Sequence, residues 1–297
     1  MLLFTAALFS PATLSAQRPQ QRLPEGTVAK RDIPYVTKGH DRQKLDLFLP
    51  KSADPAKPLP LVIWVHGGAW RAGSKDNCPA LRLLEKGYAV ASIGYRLTDT
   101  VIYPAQLEDC KSAVRWLRSH AKEQGLDPQR FAAWGSSAGG HLVALLGTTG
   151  DVKDYDKGEN LEVGSEVQAV VDFFGPIDFC QMEAQDSPEF GKMDHDAADS
   201  PESVLVGGAI QANKDKVAKA SPLTYITKND PPVLMVHGDR DPLVPHGQSE
   251  LFAAALKQAG ITNELKTVKG GGHGNGFPPE VQDWVDSFLA AQLQKKP

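Results

Sequence analysis

Three short motifs carry residues that could do chemistry together: Gly135-Ser136-Ser137-Ala138-Gly139, Gly238-Asp239-Arg240-Asp241 and Gly270-Gly271-Gly272-His273-Gly274. A serine hydroxyl is a poor nucleophile at neutral pH. It needs a base within hydrogen-bond reach and a third group that holds the base in one tautomer. Serine, acid and histidine in that chain order meet the requirement. Ser137 is centred in G-x-S-x-G and is the candidate nucleophile, while Ser136 stands beside the centre and reads as a neighbour. Asp241 is the candidate acid, with Asp239 as a competitor nearer the preceding apolar run. His273 is the candidate base. Of the remaining histidines, His237 precedes the acid loop at a strand end, His141 starts the helix behind the serine and His246 opens the next helix. His40, His120 and His195 have no supporting motif.

Attack on a carbonyl places negative charge on its oxygen, and uncovered backbone N–H groups stabilise that charge. His66-Gly67-Gly68-Ala69-Trp70 follows an apolar run directly. Gly68 and Ala69 are therefore candidate oxyanion donors, with Ala138 as a third at a helix N-terminus. His66 could be mistaken for the base, but it reads as a structural residue that holds this loop by hydrogen bonds. Taken alone, the glycine cluster would equally be a plain turn; a G-x-S-x-G in the same chain weighs against that.

Positioning these residues requires strands that end where the motifs begin. Short β-branched runs at 44–49, 61–66, 88–93, 130–134, 167–174, 232–237 and 264–268 read as strands. Between them, 104–122 carries Leu107, Cys110, Val114 and Leu117 at helical spacing. Segments 248–259 and 281–293 read the same way, and 141–146 is helix-like. This alternation predicts an α/β fold, a mostly parallel sheet covered by helices. Ser137 then falls in the strand-turn-helix context that its motif needs. No linker interrupts the rhythm, so residues 28–297 are expected to form one catalytic domain. Residues 178–222 are acidic, irregular and longer than an ordinary connection; they are expected to be either a lid-like insertion or a solvated loop.

The 297 residues carry 32 Lys and Arg against 36 Asp and Glu, a net charge of −4, without a basic run. That excludes an electrostatic footprint for nucleic acid. The apolar start, MLLFTAALF, is too short to span a bilayer, which takes about 20 apolar residues. Residues 1–16 are expected to be a signal peptide for export, although no Lys or Arg precedes the run and Leu14 is larger than usual before the cut. Residues 17–27 follow as an expected flexible leader. Cys78, Cys110 and Cys180 match no metal-ligand spacing. They read as small apolar residues, with a Cys78–Cys110 disulfide left open.

On these residues the chain resembles the α/β-hydrolase superfamily over residues 28–293. More narrowly it resembles the secreted carboxylesterases of the bacterial feruloyl-esterase and acetylxylan-esterase-like group. The carrying segments are HGGAWRAGSKD from His66, YPAQLEDCKSAVRWLR from Tyr103, WGSSAGGHLVALLG from Trp134, HGDRDPLVP from His237 and GGGHG from Gly270. The resemblance implies hydrolysis of acetyl or feruloyl esters of plant polysaccharides, or of similar small esters, through an acyl-enzyme and without metal or organic cofactor. Ala69 stands where hormone-sensitive-lipase-like relatives have a third glycine, and Ser136 where they usually have Asp, which points away from that group. A serine peptidase, an arylformamidase sharing the HGGxW loop and a non-catalytic binding protein remain as alternatives on the same fold.

Overall fold

The computed structural model describes residues 22–51, 56–187, 189–190 and 193–294. The expected signal peptide at 1–16 lies outside the described residues. Eight strands form one sheet: β1 (Val28–Pro34), β2 (Lys44–Leu49), β3 (Leu59–Val65), β4 (Ala89–Ile93), β5 (Leu126–Ser136), β6 (Ala169–Phe173), β7 (Val233–Gly238) and β8 (Asn263–Val268). Their spatial order is β1-β2-β4-β3-β5-β6-β7-β8. β1 pairs with β2, and β2 with β4, in antiparallel fashion; every other pairing is parallel.

The helices are α1 (Ala105–Ser119), α2 (Ala121–Gln124), α3 (Ala138–Thr148), α4 (Phe179–Gln185), α5 (Pro201–Val206), α6 (Lys214–Ala220), α7 (Gly247–Gln258) and α8 (Glu280–Leu293). Side chains alternate across a strand, so β3 feeds two cores. Leu61, Ile63 and Val65 pack with α1, α3 and α7 on one face. Val62 and Trp64 pack with α8 and a 3-10 turn at Pro79–Lys86 on the other. Burial on both faces is why the central strands read as nearly continuous apolar runs.

Two elements differ from the sequence-based expectation. β1 was not anticipated, because its sequence VAKRDIP is mostly exposed at the sheet edge and shows no apolar period. Residues 178–222 hold α4, α5 and α6, while the described residues between α4 and α5 carry no helix or strand and include exposed positions. Asp178 caps α4 by accepting from the Cys180 N–H at 3.1 Å, and Ser200 caps α5 by accepting from the Ser203 N–H at 3.0 Å. Phe179, Met182, Leu205, Ile210 and Val217 from this segment are buried in the larger core. The three cysteines form no disulfide. Burial pushes the Cys78 thiol up to about 12, which keeps it protonated.

The tightest constraint lies where β5 turns into α3. A Cβ on Gly139 would sit 2.1 Å from the Val65 carbonyl oxygen and 2.7 Å from that of His66, so the first turn of α3 rests directly on the end of β3. Gly139→Ala is therefore expected to lower Tm by roughly 5–10 °C, the effect of overpacking against backbone in a domain of this size. Thermal denaturation checks this, and an unchanged Tm would contradict the contact.

Candidate active site

All three candidate residues lie just past the carboxyl ends of strands in the adjoining set β5, β6, β7 and β8. Ser137 follows β5, Asp241 follows β7 and His273 follows β8. Ser137 has φ 56° and ψ −124°, a conformation that costs about 1–3 kcal/mol for a residue with a side chain. It is held there from both sides. Its N–H donates to the Phe173 carbonyl at 2.8 Å, and its own carbonyl accepts from the His141 N–H at 3.0 Å. The sharp turn sets the serine at the N-terminus of α3, where backbone N–H groups lack helical partners.

Asp241 is fully buried as a side chain. Its Oδ1 accepts from the N–H groups of Leu243 at 2.8 Å and Val244 at 3.0 Å. Its Oδ2 lies 2.7 Å from His273 Nδ1 and 3.3 Å from His237 Nε2. Burial alone would raise this carboxyl, but the hydrogen bonds from His237 and His273 outweigh it and hold it below the usual carboxylate range. Facing an ionised carboxylate, His273 Nδ1 carries the hydrogen, and its Nε2 keeps a lone pair. The competitor Asp239 serves elsewhere. It accepts from the Gly270 N–H at 2.7 Å and pairs with Lys269 at 3.1 Å, bracing the loop that carries His273.

Phe174 joins the end of β7 to the histidine loop. Its backbone is left-handed, with φ 45°, and its N–H donates to the Val236 carbonyl at 3.0 Å. Its ring centroid is 4.5 Å from that of His273. The sequence reading missed this residue, and no motif marks it.

In the candidate oxyanion loop, Gly68 has φ 110°, and a Cβ there would lie 2.4 Å from the Ala72 carbonyl oxygen. The Gly68 carbonyl accepts from the Arg71 and Ala72 N–H groups at 3.0 and 2.9 Å. Among the described residues, the N–H groups of Gly68, Ala69 and Ala138 donate to no other backbone carbonyl outside regular elements. His66 behaves as a loop holder: its Nδ1–H donates to the Gly67 carbonyl at 2.7 Å, and its ring stacks on Tyr95 at 4.3 Å. Burial lowers it to about 4, so it is neutral. Trp70 is buried and packs edge-on against His141 and Phe179 at 5.2 and 5.5 Å. Arg71 donates to the Asp199 carbonyl. Residues 70 and 71 thus tie this loop to Phe179 and Asp199.

A cavity of about 680 Å³ opens between the oxyanion loop and the histidine loop. Gly68 and Ser136 border it on one side and Gly274 on another, and Trp64, Trp134 and Phe277 give it aromatic walls. Sites for small ligands fall in this size range and are mostly apolar. Close by, Asp172 is buried at the end of β6. Its Oδ1 accepts from the Gly175 N–H at 2.9 Å, and its Oδ2 has no hydrogen-bond partner among the described residues. Burial pushes its carboxyl up from 3.8 to about 7.

The fold and this edge-of-sheet site define an α/β-hydrolase of the esterase class. The BD-FAE family model matches residues 45–256, and the chain belongs to that family. It is 33% identical over 280 residues to esterase LipC of Mycobacterium tuberculosis, an alignment covering 90% of this chain and 67% of LipC. Two further curated esterases of that organism are matched over only 53% and 51% of their lengths. Among solved structures, a truncated carbohydrate esterase from gut microbiota superposes with a TM-score of 0.83 at 33% identity, covering 93% of this chain and 100% of that one. An acetyl ester-xyloside bifunctional hydrolase of Caldicellulosiruptor lactoaceticus gives a TM-score of 0.70 at 26% identity, covering 91% and 96%.

Asp172 makes stability depend on pH in a defined direction. Its raised value means that the folded state holds this proton until about pH 7, whereas the unfolded chain releases it near 3.8. Its contribution is therefore fully present below pH 3.8 and is lost as pH rises toward 7. Asp172→Asn keeps the acceptor for Gly175 and removes the charge. Relative to wild type it is expected to gain stability by urea denaturation between pH 5 and pH 8, and no pH-dependent difference between the two would contradict the assignment.

Proposed function

We propose that this protein hydrolyses carboxylic esters through a covalent acyl-enzyme on Ser137, with His273 as general base and acid and Asp241 as the residue that orients and stabilises the imidazole. The observation that carries the reading is the 2.7 Å contact between His273 Nδ1 and a buried, multiply hydrogen-bonded Asp241 carboxylate; a serine held at φ 56° just past the end of β5 supports it. His273 Nε2 takes the Ser137 proton as Oγ bonds to the ester carbonyl carbon. The N–H groups of Gly68, Ala69 and Ala138 hold the resulting oxyanion. Collapse of the tetrahedral species breaks the bond to the alcohol oxygen, which leaves with the proton from His273. Water then attacks the acyl-serine with its proton passing to His273, and the carboxylic acid departs as the proton returns to Ser137.

The proposed substrates are acetyl or feruloyl esters of plant polysaccharides, or similar small esters. The similar carbohydrate esterase and acetyl ester-xyloside hydrolase support the sugar-linked alcohol. The aromatic walls of the cavity beside Gly68 and Gly274 suit a flat acyl group such as ferulate. The apolar run at 1–9 supports export, which would leave a mature chain beginning at Gln17.

Ser137→Ala is expected to abolish turnover of p-nitrophenyl acetate and methyl ferulate. Asp241→Asn should lower kcat by about 10⁴-fold, the effect of presenting the wrong histidine tautomer. Ester turnover undiminished by Ser137→Ala overturns the reading. Preference for formylkynurenine or a peptide amide over every ester would keep the nucleophile and replace the substrate class.

A further inference from the structure

The Asp241 carboxylate receives a second imidazole. His237 is the penultimate residue of β7 and is completely buried. Its Nε2 lies 3.0 Å from the Val244 carbonyl oxygen and 3.3 Å from Asp241 Oδ2, and its Nδ1 lies 2.7 Å from Ser249 Oγ at the start of α7. A carbonyl oxygen only accepts, so His237 Nε2 carries a hydrogen. With the hydrogen on Nε2, Nδ1 is the ring atom that pairs with the Ser249 hydroxyl. The Val244 carbonyl fixes the tautomer and the Ser249 hydroxyl holds the ring orientation, and the Nε2–H is shared between Val244 O and Asp241 Oδ2.

We propose that His237, locked by Ser249, is a positioning residue for the reaction: it pins Asp241 Oδ2 so that His273 is presented in one orientation. The inference rests on the Ser137–His273–Asp241 reading. The geometry divides the carboxylate between two tasks. Oδ1 is consumed by the Leu243 and Val244 N–H groups and anchors the loop. Oδ2 is the atom that faces His273, and apart from His273 its close side-chain donor is His237. Without His237, Oδ2 faces only the ring that it is meant to orient. Val244 receives both ends of this arrangement, with its N–H on Oδ1 and its carbonyl on His237, so ring, loop and carboxylate form one closed unit. Other groups at this corner have separate partners. His246, whose ring is 5.4 Å from that of His237, contacts Thr267 Oγ1 at 3.0 Å and Glu250 at 3.5 Å.

The test compares His237→Leu, His237→Gln and Ser249→Ala with wild type and with Ser137→Ala, measuring kcat and KM for p-nitrophenyl acetate and Tm for each. His237→Leu removes the donor and is expected to lower kcat by about 10- to 100-fold, the effect of misplacing a reacting group by about 1 Å, with KM nearly unchanged. His237→Gln places an amide N–H near the former Nε2 and is expected to recover most of that loss. Ser249→Ala should give a smaller fall in kcat, again without a change in KM. If His237→Leu fails to fold, Ser249→Ala decides: wild-type kcat overturns the proposal. Wild-type kcat in His237→Leu also overturns it, as does a Gln variant equally impaired at equal Tm, which would assign His237 to packing alone. If Ser137→Ala keeps activity, the underlying reading fails and this proposal falls with it; if Ser137→Ala is inactive and the His237 variants are not, this proposal alone fails.

Discussion

A carboxylate has to remain ionised inside the protein, and the arrangement of the site follows from that constraint. Burial of the Asp241 side chain works against its charge, and an isolated carboxylate there would take up a proton. Two backbone N–H groups and two imidazoles reverse the balance. To supply the N–H groups, the chain after β7 must curl back on Asp241. To supply His273, β8 must run parallel to β7 and end at the same level. That register is present, with His237 opposite Thr267 and Gly238 opposite Val268. The order of strands in the sheet therefore decides whether this acid can exist in charged form at all.

The other half of the site obeys a steric constraint. Ser137 occupies a left-handed conformation because its flanking residues let α3 touch the end of β3 and because Phe173 and His141 fix its amide and carbonyl. The strain is local and is balanced by packing: α3 is mostly apolar and buried throughout. Trp70 and His141 then carry the same packing outward to Phe179 at the start of α4. In the proposed mechanism this packing matters because oxyanion donors act only when they are already in place.

Much of this was legible from residue order. The central strands announce themselves as β-branched runs, and Ser137, Asp241 and His273 each follow one of them. Parallel strands buried on both faces leave a strong apolar signal, whereas β1, an exposed antiparallel edge strand, leaves none. In the 178–222 segment the acidic composition concealed three helices. Ser200-Pro201-Glu202 is a helix-start signal that could have located α5. The contact of His237 with Asp241 was out of reach, because it depends on the backbone of Leu243 and Val244 folding over the carboxylate. Asp241 was preferred to Asp239 from the sequence, whereas the contacts of Asp239 with Lys269 and Gly270 were not legible there. Phe174 carries no motif, since its role comes from a backbone angle.

The central claim is that Ser137 carries the acyl group between the two halves of the reaction. The most direct measurement is rapid acid quenching of the enzyme during turnover of p-nitrophenyl acetate, followed by peptide mapping by mass spectrometry. The account predicts an acetyl group on the peptide spanning residues 131–145, located at Ser137 and absent from the Ser137→Ala protein. An acetyl group found at Ser136 or elsewhere, or turnover with no adduct at any quench time, would contradict it.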